Sequence, residues 1–190
     1  GFPLDIYASQ RTGDSWSLPV NVSYSTLGEA TLLYDSSSPA LAMGSAGAAL
    51  AWGESGEAGS AIWLARLGAE GWGDAVQATA SDGPYGPALA FDAAGLGHLA
   101  WGTLSGAAYR TWNPTSGEWG VVETITSAQN VSVAGLLAGD ALRAAWLAQT
   151  VTDNRDLYYS QRSSASPTPT VTATPSRTPT RTPTRTATPT

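Results

Sequence analysis

The chain has no cysteine, no lysine, one histidine and one methionine in 190 residues. Without cysteine there is no disulfide, no thiol nucleophile and no thiolate-held zinc. Without lysine there is no Schiff base and no lysine clamp on a phosphate. A lone histidine has no company for an imidazole metal site, so no metal and no cofactor are expected. No apolar run approaches the roughly eighteen residues of a membrane helix, which excludes helical membrane insertion within this chain. No signal peptide is visible. The sequence begins at Gly1, inside a repeat, and reads as a piece of a longer protein whose export signal or anchor would lie elsewhere.

What is present falls into two regimes. All 15 acidic residues lie in residues 1–163, with Arg11, Arg66, Arg110, Arg143, Arg155 and Arg162. That body is therefore near −9, and Arg177, Arg181 and Arg185 in the tail bring the total to −6. An acidic body argues against nucleic acid, because phosphate binding needs a basic surface. Residues 164–190 are almost wholly Ser, Pro, Thr, Ala and Arg, with one valine and no aromatic. Such a segment cannot bury a core and is expected to be a disordered, extended Thr/Pro linker or stalk. Stalks of this composition point to an extracellular or cell-surface setting.

Residues 1–163 are repetitive. Pro39-Ala40-Leu41-Ala42 recurs as Pro87-Ala88-Leu89-Ala90. A small-residue turn follows each, then Leu50-Ala51-Trp52-Gly53 and Leu99-Ala100-Trp101-Gly102, with Ala144-Ala145-Trp146-Leu147 as a third version. Next comes an aromatic slot holding Tyr7, Trp63, Tyr109 and Tyr158. A tryptophan follows nine or ten residues later in three copies, at Trp16, Trp72 and Trp119. Each unit thus holds four segments of five to eight residues between Gly, Ser, Asp and Pro turns, which is strand punctuation. Repeats of this length with four short antiparallel strands predict an all-β fold, a partial β-propeller of four-stranded antiparallel blades. Three to four blades are present: an outer hairpin over 4–22, full units over 39–79 and 87–126, and three strands over 131–162. Leu27 to Tyr34 reads as a short helical turn or an extra strand. The six repeating tryptophans are expected to pack between blades.

Ser9-Gln10-Arg11-Thr12-Gly13-Asp14-Ser15-Trp16 resembles the Asp-box hairpin, Ser-x-Asp-x-Gly-x-Thr-Trp, of sialidase-like (BNR-repeat) propellers. Ser9, Gly13 and Trp16 match it, and Arg11 stands where the box has aspartate. The strings ending in Ala-Trp-Gly also resemble propellers of bacterial surface proteins. The resemblance implies a propeller. For an enzyme of that family it implies an arginine triad, a Tyr/Glu nucleophile pair and an aspartate acid/base. No arginine set is placed by pattern, and Leu18-Pro19-Val20 lacks the arginine of the Arg-Ile-Pro motif. No catalytic residue is therefore carried over.

The remaining chemistry is sparse. Glu54 with Glu57, Asp82 with Asp92, and Asp153 with Asp156 are the close carboxylate pairs, and their polar, Gly-rich surroundings make them solvated turn acids. His98 lies within a strand, without counterparts, as a rim or packed residue. Asn21-Val22-Ser23 and Asn130-Val131-Ser132 fit the N-glycosylation pattern. Trp63 and Trp112 are the less regular tryptophans. An exposed ring there, near Arg66 or Arg110, would stack on a sugar face, so Trp63, Arg66, Arg110 and Trp112 are the ligand-binding candidates. The reading is a non-catalytic extracellular binding or interaction module for a glycan or protein ligand. The alternatives are part of a sialidase-like glycoside hydrolase with its catalytic residues outside this chain, or a structural spacer.

Overall fold

The computed structural model describes residues 4–23, 35–56, 59–79, 83–127, 131–138, 141–149 and 155–163. The tail over 164–190, the Leu27 to Tyr34 stretch, Glu57, Asp82, Asn130 and Asp153 lie outside these residues. The described residues are all-β, every strand pair is antiparallel, and no helix is present among them.

The strands follow the repeat. The first unit has β1 (Tyr7–Ala8) paired with β4 (Val20–Asn21), and the hairpin β2 (Arg11–Thr12) with β3 (Ser15–Trp16). A first full sheet runs β5 (Asp35–Gly44), β6 (Gly47–Gly56), β7 (Gly59–Gly68) and β8 (Gly71–Trp72), with β9 (Val76–Gln77) also on β7. The second sheet is β10 (Tyr85–Phe91), β11 (Gly97–Thr103), β12 (Gly106–Trp112) and β13 (Glu123–Thr126). The third is β14 (Ser132–Leu137), β15 (Ala141–Gln149) and β16 (Arg155–Ser163). The fourth strand expected from Trp72 onward is split into β8 and β9, and in the second sheet Trp119 makes only an isolated bridge to Trp112 before β13.

The copies share bonds as well as letters. Ser17, Gly73 and Gly120 each donate an N–H to the carbonyl seven or nine residues back, at Gln10, Arg66 and Thr111, over 2.8, 2.8 and 2.9 Å. The inner strands share a bulge. The register shifts between Ser37 and Ala40 and again between Tyr85 and Ala88, so that Pro39 and Pro87, which lack an N–H, need not pair. Gly86 takes φ +56° in that bulge, and Ser38 occupies the same place at φ 54°, a left-handed conformation that glycine holds at lower cost.

The sheets lie in chain order, face on face, and each interface has its own apolar cluster. Ile6 and Val22 of the first unit pack on Leu50, Trp52 and Ala65 of the first sheet. In the first seam, between the first and second sheets, Ala49, Ala51, Ile62 and Leu64 meet Leu89, Leu99, Trp101 and Trp112. In the second seam, Ala88, Ala100 and Ala107 meet Val133, Ala144, Trp146 and Ala148. Each central-strand tryptophan (Trp52, Trp101, Trp146) turns toward the preceding unit, and Ala51 and Ala100, one residue earlier, turn toward the following sheet, because side chains alternate along a strand. Large rings against small residues let the sheets approach closely. At Gly44 a Cβ would lie 2.6 Å from Phe91, so the inner strands touch through glycine there.

Of the six repeating tryptophans, Trp52, Trp101 and Trp146 are buried, while Trp72 and Trp119 are half-buried against those clusters. Trp16 departs from the expectation: it is 69% exposed, because among the described residues no sheet precedes the first unit for it to lean on.

The aromatic slot is also less uniform than its spacing implies. Trp63 stands opposite Trp52 and Tyr158 opposite Trp146, but Tyr109 stands opposite Ala100, one residue out of step. A slip of one residue moves a strand side chain to the other face. Trp63 therefore turns toward the preceding unit, and Tyr109 turns into the second seam.

Candidate functional site

Three of the four sequence candidates come together at the first seam, with Trp112 buried, Arg110 half-buried and Arg66 exposed at the rim. Trp112 and Trp119 stack at 5.9 Å between ring centroids, with 29° between their planes. The Arg66 guanidinium caps Trp112 at 5.7 Å and that of Arg110 caps Trp119 at 4.8 Å. Both guanidiniums are spent on main-chain carbonyls. Arg110 donates through Nε and one terminal nitrogen to Gly120 at 3.1 and 2.8 Å, and through the other to Ala78, across the seam, at 2.7 Å. Arg66 donates across the seam to Pro114 and, at 3.2 Å, to Ala46 of its own sheet. Partial burial lowers the Arg110 pKa. The planar fork suits this stapling of two carbonyl directions at once.

The expectation of an exposed sugar-stacking ring is corrected at Trp112, which is 3% exposed between Phe91 and Trp119. It presents no open face. Trp63 sits apart from the other three, half-buried under the first unit. Glu54 is corrected too. It is not a solvated turn acid but a buried residue of β6, on the same face as Trp52, whose indole N–H reaches its carboxylate at 3.4 Å. Burial pushes its pKa up, the Trp52 bond opposes this, and the charge of Asp5 adds to it.

The open site lies in the second seam. A cleft of about 160 Å³ is lined by Tyr109, Glu123, Ile125, Leu136, Leu142 and Arg162, with the hydroxyl residues Thr124 and Ser160. Strand pairing sets its geometry: Tyr109 is directly opposite Glu123 on β13, and Arg162 is opposite Leu142 on the third sheet. One Arg162 nitrogen donates to both Glu123 oxygens, at 2.8 and 2.7 Å, and the guanidinium lies 6.0 Å from the Tyr109 ring centroid. The hydrogen bond and charge of Glu123 raise the Arg162 pKa further.

Behind the cleft runs a hydrogen-bond chain. His98 contacts the Tyr109 hydroxyl through Nδ1 at 2.8 Å and Asp92 through Nε2 at 3.2 Å. Asp92 also accepts the Leu96 N–H at 2.9 Å. Burial works against the charge on Asp92, but the Leu96 N–H and His98 outweigh it and lower its pKa. An ionised carboxylate only accepts, so Nε2 carries the proton. In the neutral ring Nδ1 then accepts, and the Tyr109 hydroxyl donates to it.

This order resembles a base-activated nucleophile, yet burial raises the Tyr109 pKa, partly offset by Arg162 and reinforced by Glu123 and Asp92. The phenol stays protonated at neutral pH. Tyr109, the Arg162–Glu123 pair, Thr124 and Ser160 line the cleft together. Among the described residues no group of three or more His, Cys, Asp or Glu is placed to hold a metal ion, and no helix is long and apolar enough to cross a membrane.

Sequence reasoning passed over Tyr109, Glu123 and Arg162 as a group because the one-residue slip of Tyr109 is invisible in spacing. The available signal was Arg162 itself, in a segment nearly identical to that ending at Arg11.

No protein-family model and no curated protein matches the chain.

Proposed function

We propose that this chain is a non-catalytic binding module, part of a sialidase-like β-propeller displayed outside the cell, and that it holds a saccharide unit in the cleft between its second and third sheets. The observation that carries the reading is the cleft's make-up: an aromatic ring, an Arg162–Glu123 pair bonded at 2.7–2.8 Å, and the residues Thr124 and Ser160 around about 160 Å³. Sugar hydroxyls need paired donors and acceptors, and sugar C–H faces suit apolar and aromatic walls. The volume suits roughly one sugar ring. The propeller part of the reading is supported by the sheets' fixed facing order and by the hairpin bond recurring at Ser17, Gly73 and Gly120. The extracellular part rests on the Thr/Pro composition of 164–190.

The test is a glycan array on the intact chain, followed by calorimetry on the best binder. Saturable binding that Arg162→Ala weakens at least tenfold, with the unfolding temperature little changed, supports the site. Absence of glycan binding, or binding indifferent to Arg162→Ala, overturns it.

A further inference from the structure

A second cleft lies at the rim of the first seam, where three turns meet. One turn joins β5 to β6 at Ser45 and Ala46, one joins β10 to β11 over residues 92–96, and one follows β12 from Asn113. All three close the same end of their sheets, because Gly44 pairs with Gly47, Phe91 with Gly97 and Gly97 with Trp112. The β10–β11 turn has aspartate at its first place and glycine at its fourth, and the Gly95 N–H donates to the Asp92 carbonyl at 3.0 Å. It meets the β5–β6 turn across the seam: a Cβ on Gly95 would lie 2.7 Å from Ser45 Oγ. The cleft among the turns holds about 590 Å³, within the range of roughly 300–1,000 Å³ usual for small-ligand sites.

Its polar groups are held in place and keep bonding capacity. Asp92 accepts the Leu96 N–H at 2.9 Å on one carboxylate oxygen and meets His98 Nε2 at 3.2 Å with the other. Each oxygen retains a further lone pair. The Asn113 amide oxygen accepts the N–H groups of Thr115 and Ser116 at 2.9 and 3.2 Å, which orients the side chain. The Asn113 amide nitrogen and the Ser45 and Thr115 hydroxyls have no hydrogen-bond partner among the described residues.

The lining residues also set what the cleft can take. None is basic, and Asp92 is anionic, so an anion meets no counter-charge there. One carboxylate is too little charge for a hard cation, which gathers several oxygen ligands. No aromatic ring lines the cleft, and its apolar part is Leu96 with two alanines, so a flat apolar ligand buries little. A peptide main chain is usually taken along a strand edge, and this cleft is built from turns. A neutral molecule rich in hydroxyls fits best. Vicinal sugar hydroxyls donate to a carboxylate and accept from an amide or hydroxyl at once.

We infer that this rim cleft is a second saccharide site, which takes a neutral oligosaccharide of more than one ring through Asp92, Asn113, Ser45 and Thr115. It shares no lining residue with the cleft at Arg162 and does not depend on it.

The test uses the intact chain carrying Arg162→Ala, which removes the cation of the other cleft, on an array of neutral and acidic glycans. Saturable binding of neutral glycans with two or more rings is expected. On the best binder, Ser45→Ala combined with Thr115→Val, at two exposed side chains, is expected to weaken binding about tenfold through two lost hydrogen bonds, with the unfolding temperature unchanged. In NMR spectra the same glycan is expected to shift the Asn113 side-chain amide and the Leu96 N–H signals. A chain that loses all neutral glycans with Arg162→Ala assigns the binding to the other cleft and overturns the inference. A preference for acidic glycans, affinity indifferent to the double change, or unmoved Asn113 signals each overturns it as well.

Discussion

The two seams flanking the second sheet are made by the same repeat and come out differently. The first is closed: an indole pair is capped at both ends by arginines whose donors are held by main-chain carbonyls. The second is lined by smaller apolar residues and stays partly open, with the His98–Tyr109 chain and the Arg162–Glu123 pair at a cleft. The difference traces to register. Tyr109 is one residue out of step with Trp63 and so leaves the first seam for the second. Arginine then plays opposite parts. In the first seam it is a staple with its donors occupied by backbone. In the second, Arg162 keeps an exposed side chain against a carboxylate that a ligand hydroxyl can share.

The comparison breaks most readily through the tryptophans. Trp101→Ala removes a ring buried in the first seam and is expected to cost about 3–5 kcal/mol. Trp16→Ala, at a ring that is 69% exposed, is expected to cost under about 0.5 kcal/mol. Urea unfolding of both variants checks this, and equal losses would show that Trp16 is covered after all.

Arg110→Met tests the staple. Three hydrogen bonds from one guanidinium are lost and two carbonyls are left short of partners, for an expected loss of about 2 kcal/mol. Arg110→Lys is expected to restore little, because an ammonium cannot serve both carbonyl directions and cap Trp119. Full rescue by lysine would mean that charge alone matters there.

Tyr109→Phe sharpens the second seam. It leaves His98 Nδ1 without its partner and is expected to cost about 1–2 kcal/mol while weakening ligand binding less than Arg162→Ala does. Thermal unfolding and calorimetry on the same samples separate the two effects.

The smallest effect is a pH slope at Glu54, under the first unit. Its folded pKa is raised by burial, so the protonated form is the one folding favours. Its contribution is fully present below the ordinary glutamate range and is lost as pH rises through the raised folded value. Glu54→Gln is expected to flatten the fall in unfolding temperature between mildly acidic and neutral pH. An unchanged slope would assign the fall to other carboxylates.

Much of the fold was legible in the chain. Pro-Ala-Leu-Ala and Leu-Ala-Trp-Gly placed β5, β6, β10 and β11, while the face each residue takes came from the packing of the sheets. The outer hairpin over 4–22 was legible as a part copy. The site was not. Trp63, Arg66, Arg110 and Trp112 were read as ligand-binding candidates with an exposed ring, but spacing could not tell a capped, buried Trp112 from an open binding face. Glu54 looked solvated because its neighbours are glycine and serine, although β6 runs on through it beneath the first unit.

The sequence by itself determined strands and turns, because the repeat and its Gly/Pro punctuation act within a few residues. Only the tertiary structure decided which seam closes and which stays open. That outcome depends on how two strands align side by side, and a slip of one residue sends a ring to the opposite face without altering any local preference.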